Sequence, residues 1–264
     1  MKKGFIKDLS NEDYHADRTH LSSSVLKKAL NDPSEYHRVY VLGEDPKPMN
    51  QSSLDFGNYV HTTVLEPHLL DTEYVIYPGT RRGKAWEVFK HANQDKTIIT
   101  STQHEKAMDM CENLFKEKFV LGEEKVYGSA LFSNGVAEES LFTELNGLPV
   151  KVRTDYRVPG DRGIIRDIKT TSSYVATSKD ARDVCNSFGY ILSAALYLDA
   201  VEKETGKPYD FEFIFMSKAD KKTYQYRLSN KSRQIGKEQY QQAIEYIKEC
   251  RKTGKYITTS IPEV

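Results

Sequence analysis

The stretch GIIRDIKTTSS, residues 163–173, decides how this chain reads. Gly163, Ile164 and Ile165 lead through Arg166 into Asp167, Ile168 and Lys169, and two threonines follow, a composition suited to a strand. Side chains alternate along a strand, so Asp167 and Lys169 share a face. An acid and a lysine at that spacing are either a solvated pair of small energetic consequence or the centre of an active site. The preceding turn, PGDRG (159–163), bears on the choice. It is centred on Asp161, and a hairpin symmetric about that residue sets position 155 opposite position 167. Position 155 is also an aspartate. Directly opposed like charges destabilise a sheet unless something offsets them. Mg²⁺ is a suitable offset, because it takes oxygen ligands and keeps positions for water and phosphate. A register slip of one residue would separate the acids.

Alternation extends the pattern. Lys151, Arg153, Asp155 and Arg157 fall on one face, with Arg166 close by in the next strand. Basic residues beside paired acids suit a polyanion whose phosphate must approach a metal, and they equally suit a solvated strand of mixed charge. In VAEESLF (136–142) the adjacent Glu138 and Glu139 must point to opposite faces, so one of them is turned to the core or the site. In FGNYVHTTVLEP (56–67), His61 lies one helical turn after Gly57, as a ligand or as a hydrogen-bonded core histidine.

The 264 residues suffice for one large domain, and 38% apolar and 11% aromatic content can build its core. Charged residues make up 29% with a formal sum of zero, so whole-chain charge argues neither for nor against nucleic acid. Cys111, Cys185 and Cys250 form no C-x-x-C pair, so neither a zinc ribbon nor a disulfide framework is suggested, and a reducing compartment is the simplest reading. With no apolar leader and no membrane-length run, the expectation is a soluble, cytoplasmic protein.

Outward from the central stretch, the pattern is helical before about residue 120 and strand-rich after it. Helices are expected in HLSSSVLKKALNDPSEY (20–36), from Ser53 to Glu66, in GKAWEVFKHANQD (83–95) and in TQHEKAMDMCENLFKEKF (102–119). Arg81, Arg82 and Lys84 read as a solvated turn in preference to a DNA contact. KVYGSALF (125–132), GVAEESLFTEL (135–145), LPVKVRTDYRV (148–158) and GIIRDIKTT (163–171) read as a four-strand antiparallel meander. One long helix is expected over 180–204, with Phe188, Leu192, Ala195 and Leu196 buried. A hairpin over Ala219–Asp220 and a last amphipathic helix over 232–254 complete an α+β chain, read as a single domain over 1–264 with a mostly helical portion, 1–120, and a sheet core with C-terminal helices, 121–264.

The order of helix, meander with D-(x)n-D-x-K, helix and strand resembles the PD-(D/E)XK nuclease core, a central antiparallel or mixed sheet flanked by helices. Within that superfamily the chain resembles the phage-type exodeoxyribonuclease VIII (RecE-like) family over about residues 5–200. The resemblance rests on LSNEDYHADRTHLSSSVLK (9–27), DPSEY (32–36), the G-x-x-x-H helix, AEESLF (137–142), VRTDYRV with IIRDIKTT, and GYILSAALYLDA (189–200). It implies metal ligation by His61, Asp155, Asp167 and the backbone carbonyl of Ile168. It also implies that Lys169 acts on the attacking water or on phosphate charge, that Glu138 is an acid near the metals, and that Tyr197 contacts DNA. Ser193 stands where the family carries a glutamine, and Arg153 and Arg166 complete the expected substrate contacts. The implied activity is 5′→3′ digestion of linear double-stranded DNA with two Mg²⁺ or Mn²⁺ ions, by a ring-shaped homo-oligomer working with a single-strand annealing protein in phage recombination. The alternatives are another nuclease of the superfamily (RecB-like, single-strand or structure-specific) and a catalytically weak DNA-binding relative.

Overall fold

The hairpin over PGDRG is the pivot of the architecture. The protein is described by a computed structural model covering residues 2–48 and 50–256. Strand β1 (Gly4–Ile6) and helix α1 (Asn11–Ala16) come first, followed by α2 (Ser23–Asn31) and α3 (Pro33–Tyr36). Asp32 caps α3 by accepting from the Glu35 N–H, with Pro33 in the first turn where its missing donor costs nothing. Helix α4 (Gln51–Leu65) is capped by Asn50, which accepts from the Ser53 N–H, and Pro67 opens a 3₁₀ turn just beyond it. Its buried stripe is Phe56, Tyr59, Val60 and Val64, whereas Leu54 is exposed. Then come α5 (Leu70–Glu73), β2 (Tyr74–Tyr77), α6 (Gly83–Ala92), β3 (Thr97–Thr100) and α7 (Ser101–Lys116). Strands β2 and β3 pair in parallel as a small sheet of their own, so the first 120 residues hold more strand than their pattern suggests. Arg81 is not a solvated turn residue. Its guanidinium donates to the Ile98 carbonyl (2.5 Å) and to Gln103 (3.2 Å) and lies over the Trp86 ring.

The pairs β4 (Lys118–Leu121) and β5 (Glu124–Tyr127) make a separate hairpin. KVYGSALF is therefore not a meander strand: only its start lies in β5, and Gly128–Phe132 is a 3₁₀ turn. The meander proper is β6 (Val136–Leu145), β7 (Leu148–Val158) and β8 (Gly163–Thr171). Asn146 and Gly147, both at positive φ, make the two-residue turn between β6 and β7. Next, α8 (Ser178–Ser187) and α9 (Tyr190–Thr205) replace the expected single helix; they meet at 83°. Gly189 has φ +62°, a left-handed conformation that ends one helix and redirects the chain into the next. Phe188 is consequently 56% exposed and not buried. Strands β9 (Tyr209–Ser217) and β10 (Thr223–Arg227) form a further hairpin, and α10 (Asn230–Thr253) follows.

The main sheet has the order β1-β6-β7-β8-β9-β10, antiparallel throughout except for the parallel pair β8–β9. Apolar groups cover both of its faces. Ile165, Phe211, Phe213 and Phe215 pack with α2, α9 and α10, while Ile168, Ile214 and Met216 pack with α4 and α7. Burying two faces at once accounts for the near-continuous apolar run of β9. Among the described residues, no single helix is long and apolar enough to cross a membrane.

Candidate active site

The β7–β8 ladder pairs Val158 with Ile164, Arg157 with Ile165 and Tyr156 with Arg166, a register centred on Asp161, and there it stops. The next pair in that register is Asp155 with Asp167. Here the strands part, and the Asp155 carboxylate takes the place of the partner strand, accepting from the Ile168 N–H at 2.7 Å. In a strand the N–H and C=O of one residue point to the same edge, so the Ile168 carbonyl also faces the opening; Lys169 Nζ donates to it at 3.1 Å.

A second irregularity falls at the same level. The β6–β7 ladder pairs Ala137 with Tyr156 and Glu139 with Thr154, but not Glu138 with Asp155. Glu138 has φ +46°, a left-handed conformation costly for a side chain with a Cβ and of the kind concentrated at functional sites. Glu138, Asp155 and Asp167 thus form a row of acids across three adjacent strands, where the ladders on both sides of Asp155 are broken.

His61 reaches this row from α4. Its neighbours Tyr59, Val60 and Val64 are locked in the core with Ile168 and Ile214. Its Nδ1 lies 3.4 Å from Asp155 and 4.0 Å from Glu138. One atom each of His61, Glu138 and Asp155 lie within 4.8 Å of one another, an imidazole and two carboxylates that fit a divalent cation. Asp167 stands slightly apart, held by Lys169 at 2.6 Å. Lys169 is also 4.0 Å from Asp155.

Charge and burial compete throughout. Burial pushes the Asp167 carboxyl up, to about 6, against the pull of Lys169. Burial would lower Lys169, but Asp167 and Asp155 outweigh it and keep the ammonium charged. For His61 too, burial is overcome by Asp155 and Glu138, which raise the imidazole above its ordinary value.

A cavity of about 440 Å³ opens onto the row. Its walls include Asn11, Ser23, Asn58, Glu66, Glu138 and Tyr197. Tyr197 is half-buried, and burial together with Asp167 raises its phenol. Ser193, one turn earlier, gives its hydroxyl to the Gly189 carbonyl at 3.5 Å.

The basic residues of the strands do not line up as one substrate face. Arg166 is 1% exposed and donates to Glu212 (2.9 Å) and the Leu131 carbonyl (2.6 Å), so it supports the sheet and is not a substrate contact. Arg153 differs: it lines the cavity with Glu138 and Asp155, and its guanidinium also donates to Ser140, Asn11 and the Leu9 carbonyl. Lys151 donates to the Tyr14 and Asp17 carbonyls. Arg157 pairs with Glu139 (2.6 Å) and Tyr209. A buried cation takes whatever acceptor its fold provides, which alternation alone cannot foresee.

Two neighbours of Lys169 escape a reading of the sequence. Lys169 Nζ is 5.4 Å from the centre of the Tyr190 ring, and Lys27 Nζ is 5.8 Å from the same ring. Burial, reinforced by Lys169, lowers the Lys27 amine to about 8. Lys27 is the last residue of LSSSVLK, so its segment carries a signal, but its position opposite Lys169 depends on packing between distant elements.

A family model described as a PDDEXK-like domain of unknown function (DUF3799) matches residues 22–258. No curated protein matches the chain. Among solved structures, the crystal structure of a protein named "Putative exonuclease" from Eubacterium rectale superimposes with a TM-score of 0.64 at 16% identity, over 97% of each chain. A second, named SSO0001, reaches a TM-score of 0.30 at 15% identity over 42% of this chain and 50% of its own, too little for inference. The first shares the fold; with the family match over most of the length and the broken ladder with its acid row, the chain belongs to the PDDEXK-like domain family and has the fold of a PD-(D/E)XK nuclease.

Proposed function

We propose that this protein is a metal-dependent DNA exonuclease that degrades linear double-stranded DNA from the 5′ end. The observation that carries the reading is the row Glu138–Asp155–Asp167, flanked by His61 and Lys169, where both ladders are interrupted. His61, Glu138 and Asp155 would hold a divalent cation, Mg²⁺ or Mn²⁺, and Asp167 with the Ile168 carbonyl would serve a second. When bound, such ions polarise a phosphate and make a bound water a better nucleophile. Asp155 is itself oriented by the Ile168 N–H, so its free lone pairs are aimed and not merely nearby. Lys169, 2.6 Å from Asp167 on the same row, is placed to neutralise charge on a phosphate oxygen or to orient the attacking water. Ring assembly, an annealing partner, and work in the cytoplasm during phage recombination go with this reading as further proposals, supported by the family resemblance.

The test is digestion of linear duplex, single-stranded and closed circular DNA with Mg²⁺, Mn²⁺ or EDTA. Metal-dependent loss of linear duplex alone, with release from a labelled 5′ end, is expected. Cutting of circles would make the protein an endonuclease, and absence of cleavage with either metal would make it a binding relative.

A further inference from the structure

The break between α8 and α9 leaves an aromatic side chain in an unusual position. Phe188 is 56% exposed, and its ring is stacked on Tyr190, with centres 5.4 Å apart and planes at 17°. Tyr190 in turn lies against Lys169, whose Nζ is 5.4 Å from that ring. Two steps of this length separate the exposed ring from the lysine of the acid row. At roughly 3.4 Å per nucleotide along a strand, that span is within about three nucleotides.

The mounting is rigid. Lys27 donates to the Phe188 carbonyl at 3.3 Å and also lies near the Tyr190 ring. The left-handed Gly189 holds the turn, and a side chain there would meet Lys27 Cδ at 2.7 Å. A large ring held in solvent on a fixed turn, beside two lysines, has the chemistry of a nucleic-acid contact. The cations suit phosphates, and the aromatic face suits any base, since every base has a π-face. Such a contact is indifferent to sequence, as an enzyme that degrades DNA end to end requires.

We propose that Phe188 is a stacking platform for a base of the strand being cleaved, backed by Tyr190, with Lys27 facing the adjoining phosphate. Phe188 is a positioning residue: it fixes where the strand stops relative to Lys169 and does not itself touch the reacting atoms. The inference rests on the nuclease reading only for the identity of the polymer.

The test uses binding without cleavage. In EDTA, the full-length protein is titrated with oligonucleotides carrying 2-aminopurine near the 5′ end, single-stranded or in a duplex. Stacking on an aromatic ring quenches this base. Wild-type protein and Phe188→Trp are expected to quench, Phe188→Ala and Phe188→Leu to lose the quench, and Phe188→Ala to bind roughly ten-fold or more weakly. In Mg²⁺, Phe188→Ala should raise KM more than it lowers kcat, with an unchanged melting temperature because the ring makes few core contacts. Equal quenching and KM in wild type and Phe188→Ala would overturn the proposal, as would an unchanged KM with dissociation into smaller species, which would make the ring a subunit contact. Failure of the wild type to cleave any DNA would end the nuclease reading instead, and the fluorescence titration would still decide this one.

Discussion

Glu138 and Glu139 are neighbours in sequence and belong to opposite kinds of charged region. Glu139 is buried against the Arg157 fork at 2.6 Å, just as Glu212 is buried against Arg166. Each acid there has its own cations: Arg157 meets Glu139 with two nitrogens, and Glu212 accepts from both Arg166 and Arg227. Glu138 belongs to a row of three acids that shares one lysine and one histidine. Desolvation of paired charges is offset by their hydrogen bonds, whereas an excess of buried acid calls for a cation from outside. What separates structural charge from functional charge in this molecule is therefore neither burial nor residue type, but whether the partners balance.

The sharpest way to break that comparison is to neutralise one acid of each kind. Asp155→Asn should lower metal-dependent cleavage at least about 10³-fold with little loss of stability. Glu139→Gln should instead lower the unfolding free energy while leaving turnover per folded molecule near the wild-type value. Steady-state cleavage read beside denaturant melts decides it, and a dead but stable Glu139→Gln would erase the distinction.

Next in size is the Arg166–Glu212 pair. Arg166→Met leaves the buried Glu212 carboxylate with only the more exposed Arg227, 3.3 Å away, and should cost about 3 kcal/mol in a urea melt. Replacing both partners, with Glu212→Leu added, should recover most of it. If the double variant is no better than the single one, the pair has a role beyond balance.

The acid row also predicts a pH effect. A metal ligand must be neutral imidazole, and the neighbouring carboxylates hold the His61 pKa above its ordinary value. Protonation therefore competes with metal as pH falls, beginning at a higher pH than for a free histidine. The Mg²⁺ concentration for half-maximal activity should rise between pH 8 and pH 6, by up to about ten-fold per unit for one displaced proton. A flat response would remove His61 from the ligand set.

The smallest expected effect concerns the helix that carries His61. A methyl group on Gly57 would lie 3.7 Å from the Thr170 hydroxyl, an ordinary contact. Gly57→Ala should thus raise stability by about 0.5–1 kcal/mol. A gain in melting temperature joined to a loss of DNA binding would show that substrate passes over this position.

The acid pair was legible because its register depends on one short turn: PGDRG is symmetric, and the ladder from Tyr156 to Val158 follows from it. The strands of the meander and most helices were legible from periodicity for the same local reason. The break at Phe188–Gly189 was not, since a lone glycine inside an apolar run is compatible with a continuous helix. The left-handed turn at Glu138 left no trace either, as nothing in AEESLF demands a positive φ. Arg166 misled because alternation gives a face but not a partner. Its acceptors, Leu131 and Glu212, come from segments remote in sequence.

The attachment of the N-terminal segment has a consequence for how freely this cleft can vary. Lys151 and Arg153 grip that segment largely through main-chain oxygens, those of Leu9, Tyr14 and Asp17. A carbonyl is the same whatever residue bears it. Mutations at Lys7 or His15, which line the cavity, can therefore change what the wall presents to a substrate without loosening the wall from the sheet. The cleft has a fixed frame with an exchangeable lining, which allows its specificity to drift at little cost in stability.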